Sequence, residues 1–214
     1  MADRSYDEPC GIARALNVVG QRWALLVVRE LLYGPKRFTD LRAGLPTASQ
    51  NVLSQRLKEL EEDGVVQRRK LGPPANTWVY ELTPRGAALE PVLIELGRWG
   101  SLTPLVSTAE LSVFAYILAL KTTFRPDLAD GHQGVYELQL EDDVFTASVD
   151  GGQATLTRGA ADHPDATLAA NVGTFRSLTF GGRPLADAVS AGDLRVTGDT
   201  EAAARFLTLF PRPS

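Results

Sequence analysis

Between Phe38 and Asp63 the apolar residues fall into two helical patterns separated by a proline, and no other stretch constrains the fold as tightly. Phe38, Leu41 and Leu45 recur at helical spacing, which predicts a short amphipathic helix from Phe38 to about Leu45. Pro46 ends it, because a prolyl ring can neither donate to the helix ladder nor fit its interior. A second helix is expected after Thr47-Ala48-Ser49, with Leu53, Leu57 and Leu60 along one face. Ser49 can cap it, and Thr47 with Gln50 offers a competing capping box. Gly64 supplies the left-handed residue that commonly closes a helix. Two short helices joined by a tight turn follow from these residues alone.

The polar face of the second helix narrows the function. With the leucines turned inward, Asn51, Ser54, Gln55 and Lys58 point outward, and Gln50 sits on the first turn. Amides and hydroxyls of this kind read base edges, while cations grip phosphate. A solvated face on an ordinary amphipathic helix explains these residues equally well, so the flanking sequence decides. Val65-Val66-Gln67-Arg68-Arg69-Lys70, the turn-rich LGPPANT and Trp78-Val79-Tyr80-Glu81-Leu82 predict a hairpin whose first arm ends in three cations. Such a hairpin can lie along a phosphate backbone or reach into a minor groove. Thr83-Pro84-Arg85-Gly86 then opens a helix expected to run from Gly86 to about Gly100, with Leu89, Val92, Leu93, Leu96 and Trp99 as an apolar stripe. Upstream, helices are expected over Gly11–Val19 and, almost continuously apolar, over Trp23–Tyr33.

The front half resembles the HxlR-type branch of the MarR-like winged-helix transcription regulators. The resemblance rests on Cys10-Gly11-Ile12-Ala13-Arg14-Ala15-Leu16, Gly20-Gln21-Arg22-Trp23, Leu31 through Phe38, Leu53 through Glu61 and Tyr80 through Gly86. It departs at Gly11 and Gln50, where the family usually has proline, and Gln50 changes what the recognition helix exposes. The resemblance implies a homodimer on a pseudo-palindromic operator in double-stranded DNA, with repression as the expected sign. On this basis Gln50, Asn51, Ser54 and Gln55 are the expected base-reading residues. Arg37, Thr39, Arg56, Lys58, Arg69 and Lys70 are the expected phosphate and wing contacts. Related regulators often use a cysteine at the place of Cys10 to sense oxidants or electrophiles, and helix-terminal amides there would lower its pKa; packing at a dimer seam is the alternative.

Beyond about Pro104 the texture changes. Residues 1–104 hold 14 Lys/Arg against 12 Asp/Glu, and the remainder 8 against 14, so the acidic back half is expected to face away from DNA. An apolar helix over Glu110–Thr123 precedes strands at Gly134–Leu140, Val144–Val149, Gln153–Thr157 and Asp165–Val172. Helices at Val172–Phe180 and Pro184–Ala191, a strand at Asp193–Thr197 and a helix at Thr200–Phe210 complete the order. The segment resembles the sterol carrier protein-like domain, through Tyr136-Glu137-Leu138, Asp165-Ala166-Thr167-Leu168, Thr174-Phe175, Gly192 through Asp199 and Ala202 through Leu209. That implies a cavity for an apolar or amphipathic small molecule, with Phe114, Ile117, Phe145, Phe175, Leu178, Phe180, Phe206 and Phe210 as candidate lining; ordinary core packing is the competing role for each.

The expected fold class is therefore α+β. A winged helix-turn-helix domain for DNA binding and dimerisation (1–104) precedes an α/β sterol carrier protein-like domain, a sheet covered by helices (105–214). No catalytic constellation is present: His132 and His163 lie in loop-like surroundings and the Gly-Gly pairs lack phosphate-loop context, so neither an enzyme nor a cofactor is expected. One cysteine and two histidines speak against a metal site, and short apolar runs without a signal sequence lead to a cytoplasmic, membrane-free expectation. Two other readings remain: a thiol switch through Cys10 with a purely structural back domain, and a lipid carrier whose winged helix does not bind DNA.

Overall fold

A computed structural model describes residues 5–103 and 109–212 of the chain. The chain divides into two units between Leu93 and Ile94; the expected boundary at residues 104 and 105 lies outside the described residues. Helices α1 (Gly11–Val19), α2 (Ala24–Leu31), α3 (Phe38–Gly44) and α4 (Gln50–Glu62) come first. They are followed by strands β1 (Val66–Lys70) and β2 (Trp78–Leu82), the short α5 (Pro84–Ala87) and α6 (Glu90–Ser101). The division falls inside α6.

Local chemistry sets the ends of α4. Ser49 adopts extended backbone and its Oγ accepts from the Val52 amide at 3.4 Å, so Ser49 rather than Thr47 is the cap. Gly64 takes φ +67, with its amide on the Glu61 carbonyl at 3.1 Å and that of Val65 on Leu60 at 2.9 Å. Leu53, Leu57 and Leu60 are buried with Val27, Val28, Leu31, Leu41, Val66 and Val79 in the front core. β1 and β2 pair antiparallel from Val66↔Leu82 to Lys70↔Trp78, and Lys36 adds a backbone bridge to Tyr80.

One carboxylate lies within this core. Glu30 is fully buried; Arg29 donates to its Oε1 through Nη2 at 2.8 Å and Nε at 3.1 Å, and Lys36 Nζ donates to Oε2 at 2.8 Å. Gly44 leaves the room it needs, since a Cβ there would stand 2.4 Å from Glu30 Oε2. A second fastening joins the exit of α4 to the wing. Thr83 Oγ1 donates to the Gly64 carbonyl at 2.7 Å and accepts from the Gly86 amide at 3.1 Å, while Arg85 donates to the Asp63 carbonyl. Gly86 is pressed so closely on Val65 that a Cβ would meet its carbonyl oxygen at 2.1 Å.

The single helix expected over Gly86–Gly100 is instead two, α5 and α6, separated at Ala88 and Leu89. Pro91 accounts for the break: it lacks the amide that would bond back into α5, but is tolerated in the first turn of a new helix.

In the back unit the described residues form a five-stranded sheet of order β5-β4-β3-β6-β7. Its strands are β3 (Gly134–Leu140), β4 (Asp143–Asp150), β5 (Gln153–Arg158), β6 (Ala166–Ala170) and β7 (Arg195–Gly198). β3 and β6 pair in parallel and the other neighbours antiparallel. Tight hairpins at Glu141-Asp142 and Gly151-Gly152 use positive φ at Glu141, Gly151 and Gly152. Alternation puts Tyr136, Leu138, Leu140, Phe145, Ala147, Val149, Leu156, Ala166 and Leu168 on the buried face. Helix α7 (Val113–Thr123) packs on β5, α10 (Thr200–Thr208) packs on β6 and β7, and α8 (Val172–Thr179) packs against both helices. α9 (Leu185–Ser190) and a 3-10 turn at Pro126–Ala129 complete the unit, the turn being an element the sequence pattern did not single out. The architecture is a winged helix-turn-helix followed by a sheet covered by helices.

Candidate nucleic-acid interface

Because Leu53, Leu57 and Leu60 anchor one face of α4, the opposite face is presented outward by helix geometry alone. Gln50, Asn51, Ser54, Gln55 and Lys58 are all exposed. Asn51 and Ser54 lie one turn apart at i and i+3, and Gln55 is one turn on from Asn51 at i+4, so the three form one patch. Gln55 Nε2 donates to Glu59 at 2.8 Å, and Lys58 stands 3.7 Å from Glu62; both contacts are on the solvent face and are exchangeable. Arg37 and Thr39 are exposed at the start of α3, where the Arg37 amide donates to Asp40 at 3.2 Å and the Thr39 hydroxyl to the same carboxylate at 3.1 Å.

Two of the expected cations are placed differently from the rest. Arg56 lies turned in, its side chain 11% exposed and ion-paired with Glu59. Arg69 is on the wing but spends both edges of its fork on Glu81, Nε on Oε1 and Nη2 on Oε2, each at 2.8 Å. That pairing holds the Glu81 carboxyl below its usual range and raises Arg69 in turn. Lys70 is exposed at the end of β1. Arg68, absent from the expected contacts, is also exposed, and its guanidinium lies 4.6 Å from the Trp78 ring centroid. Alternation along β1 could have separated the faces of Arg68 and Arg69, but their partners on β2 required the strand register.

Cys10 is exposed and immediately precedes α1. Its sulfur makes no full capping hydrogen bond, yet the amides of Ala13 and Ile12 lower the thiol below its ordinary pKa. Ile12 and Leu16 of α1, and Val92, Leu96 and Trp99 of α6, are apolar and exposed, Ile12 and Trp99 to 72% each.

The eight candidate pocket residues occupy the interior of the back unit. Phe114 meets Phe145 edge-on at 5.8 Å, Phe206 meets Phe210 at 5.0 Å, and Tyr136 stacks on Phe206 at 4.4 Å. Tyr116 sits between Phe175 and Phe180 at 5.8 and 6.2 Å, and its burial raises its phenol pKa. Ile117 and Leu178 are buried beside them, and Phe180 is half-buried. A separate open cleft of about 360 Å³ is lined by Leu128, Asp130, His132, Arg205 and Leu209. There His132 Nε2 and the Tyr136 hydroxyl share a 2.8 Å hydrogen bond, and burial lowers the imidazole pKa. Among the described residues no His, Cys, Asp and Glu group is arranged to hold a metal, and no helix is long and apolar enough to cross a membrane.

Residues 18–104 match the family model described as HxlR-like helix-turn-helix, and residues 114–211 that of the SCP-2 sterol transfer family. The uncharacterized HTH-type transcriptional regulator YvaP of Bacillus subtilis (strain 168) is 42% identical over 88 residues, covering 41% of this chain and 82% of that protein. The HTH-type transcriptional regulator YodB of the same organism is 39% identical over 85 residues, covering 40% and 76%. The solved reduced form of YodB from B. subtilis aligns at 36% identity over 44% of this chain and 93% of that one, with a TM-score of 0.40.

Proposed function

The chain belongs to the HxlR-like helix-turn-helix family of transcriptional regulators, and from that premise we propose that it acts as a cytoplasmic, dimeric repressor whose hold on its operator is modulated by an apolar small molecule in the back domain. The observation that carries the reading is the exposed polar face of α4, fixed by three buried leucines and flanked by a cationic hairpin. Gln50, Asn51, Ser54 and Gln55 read bases. Arg37, Thr39, Lys58 and Lys70 meet phosphate directly, and Arg56 and Arg69 join them only by leaving Glu59 and Glu81. The exposed apolar residues of α1 and α6 support a twofold partner, which would set two recognition helices about 34–36 Å apart, one turn of DNA. DNA binding and dimerisation belong to residues 1–104 and ligand binding to 105–214. The role is binding rather than catalysis.

Fluorescence anisotropy on an operator duplex across a salt series tests the DNA half. Affinity is expected to fall steeply, with each phosphate contact adding about 0.9 to the log–log slope. Lys70→Ala should reduce that slope by about one, whereas the pair Asn51→Ala and Gln55→Ala should erase sequence preference and leave the slope intact. Weak, salt-insensitive binding would instead support a lipid carrier that does not engage DNA.

The ligand half rests on the match to the SCP-2 sterol transfer family and on the aromatic interior. Native mass spectrometry of the purified chain, followed by solvent extraction, is expected to return a dimer and a co-purifying apolar molecule that shifts operator affinity. A dimer from which nothing is extracted would overturn the ligand half. Sensing would then fall to the exposed, acidified thiol of Cys10.

A further inference from the structure

Helix α6 has two faces in use. Val92, Leu96 and Trp99 recur at i, i+4 and i+7 and form the exposed apolar stripe read above as facing a twofold partner. Gly97 lies roughly a third of a turn round the helix from that stripe. A Cβ on Gly97 would stand 3.0 Å from Thr122 Oγ1 and 3.3 Å from its Cγ2, so glycine is what lets α6 sit this close to α7. Beside it, Arg98 Nε donates to the Thr122 carbonyl at 3.3 Å. That carbonyl is among the last of α7, and the residue four on is Pro126, which has no amide to offer it. Arg98 therefore caps α7 from α6, and its positive charge suits the C-terminal end of that helix. Gly97, Arg98 and Thr122 all belong to the back unit.

Helix α7 is apolar nearly all round. Phe114, Tyr116, Ile117, Leu118 and Leu120 are buried along with Thr122, whose hydroxyl donates to the Leu118 carbonyl at 2.8 Å. A close-packed helix of this kind shifts as a body when its neighbours repack. Phe114 and Ile117, two of the candidate pocket residues, are thus on the same rod as the Thr122 that meets α6. We propose that the α6–α7 seam at Gly97 and Arg98 couples the interior of the back unit to the dimer-forming stripe. Repacking around Phe114 and Ile117 displaces α7, α6 follows, and Val92, Leu96 and Trp99 meet the second copy at a changed pitch. The inference rests on the dimeric, ligand-modulated reading above and supplies its route. Coupling is reciprocal, so dimerisation must also stabilise α7.

Hydrogen exchange of the α7 amides, followed by mass spectrometry of the full chain in a double-mutant cycle, tests this. Leu96→Glu with Trp99→Glu places carboxylates on the stripe and should yield a monomer by sedimentation. In that monomer α7 should exchange at least about fivefold faster than in the wild-type dimer, the low end of ordinary coupling between sites. Gly97→Leu drives a side chain into Thr122 and parts the seam. In its background the same two glutamates should leave α7 exchange unchanged. If the leucine variant does not fold, Gly97→Ala takes its place. Adding Thr122→Ala should then undo its effect, because only the Thr122 Cβ, at 3.8 Å, faces the added methyl. Equal α7 exchange in the wild-type dimer and the monomer would overturn the coupling. A loss of protection as large in the Gly97 variant as in the wild type would place the route elsewhere and overturn the role of the seam. A wild-type chain that is monomeric, or a glutamate variant that stays dimeric, would overturn the reading of α6 as the dimer helix, and this inference with it.

Discussion

Glu30→Ala is expected to cost the front unit about 3–5 kcal/mol, because breaking a buried ion pair strands the remaining charges. Glu30 is wholly buried while Arg29 and Lys36 retain 19% and 14% side-chain exposure, so the cations can partly escape to water and the loss should fall toward the lower end. The variant also opens a gap under Gly44, where the carboxylate now fills the space in front of the glycine. Against a total stability of about 5–15 kcal/mol for a domain, such a loss leaves little margin at growth temperature. Urea denaturation followed by circular dichroism would measure it. Glu30→Gln, which keeps the shape and an acceptor, should lose less. A Glu30→Ala midpoint within error of the wild type would show that Arg29, Lys36 and Glu30 are not coupled.

Gly198→Ala should destabilise the back unit by an amount of order 3 kcal/mol, from left-handed backbone strain together with overpacking. Gly198 ends β7 at φ +90, and a Cβ there would stand 2.4 Å from the Asp165 carbonyl oxygen. That atom cannot swing aside like a flexible side chain, because it accepts the Asp199 amide at 2.8 Å, immediately before β6 begins. Asp199 in turn caps α10 through the amides of Glu201 and Ala202 at 2.8 and 3.0 Å, so the strain would reach the helix that bears Phe206. Thermal unfolding by calorimetry would register the loss. Gly192→Ala is a matched control, being left-handed at φ +76 with nothing near its added Cβ. Equal losses in the two variants would mean that backbone strain acts alone and the Asp165 contact contributes nothing.

Helix α4 was readable because its signals are local: a leucine triad, a serine cap and a closing glycine all act within one or two turns. The hairpin was readable for the same reason, through two β-prone runs around a Gly/Pro/Asn loop. Pro91 is an equally local signal, but the apolar stripe runs through it and masks the break between α5 and α6. What local pattern could not supply was which cations are spoken for. Arg69 looks like Lys70 in the sequence, but Glu81 holds the arginine in an ion pair. For Arg69 the partner is twelve residues away across the hairpin, and only the strand register brings it there. The eight apolar residues of the back unit were legible as interior. Whether they enclose a ligand depends on volume, which a hydropathy pattern does not encode.

The Thr83–Gly86 clamp has a consequence for how such a regulator can be retargeted. It ties the end of α4 to the start of the next helix mostly through main-chain atoms: the Asp63 and Gly64 carbonyls, the Gly86 amide and the Val65 oxygen against Gly86. Asn51, Ser54 and Gln55, the proposed base-reading residues, take no part in it. On the proposed reading, the polar face of α4 is thus an exchangeable head on a fixed mount. Residues that choose a sequence can be rewritten in the laboratory, or drift between duplicated genes, without resetting the angle at which helix and wing approach DNA.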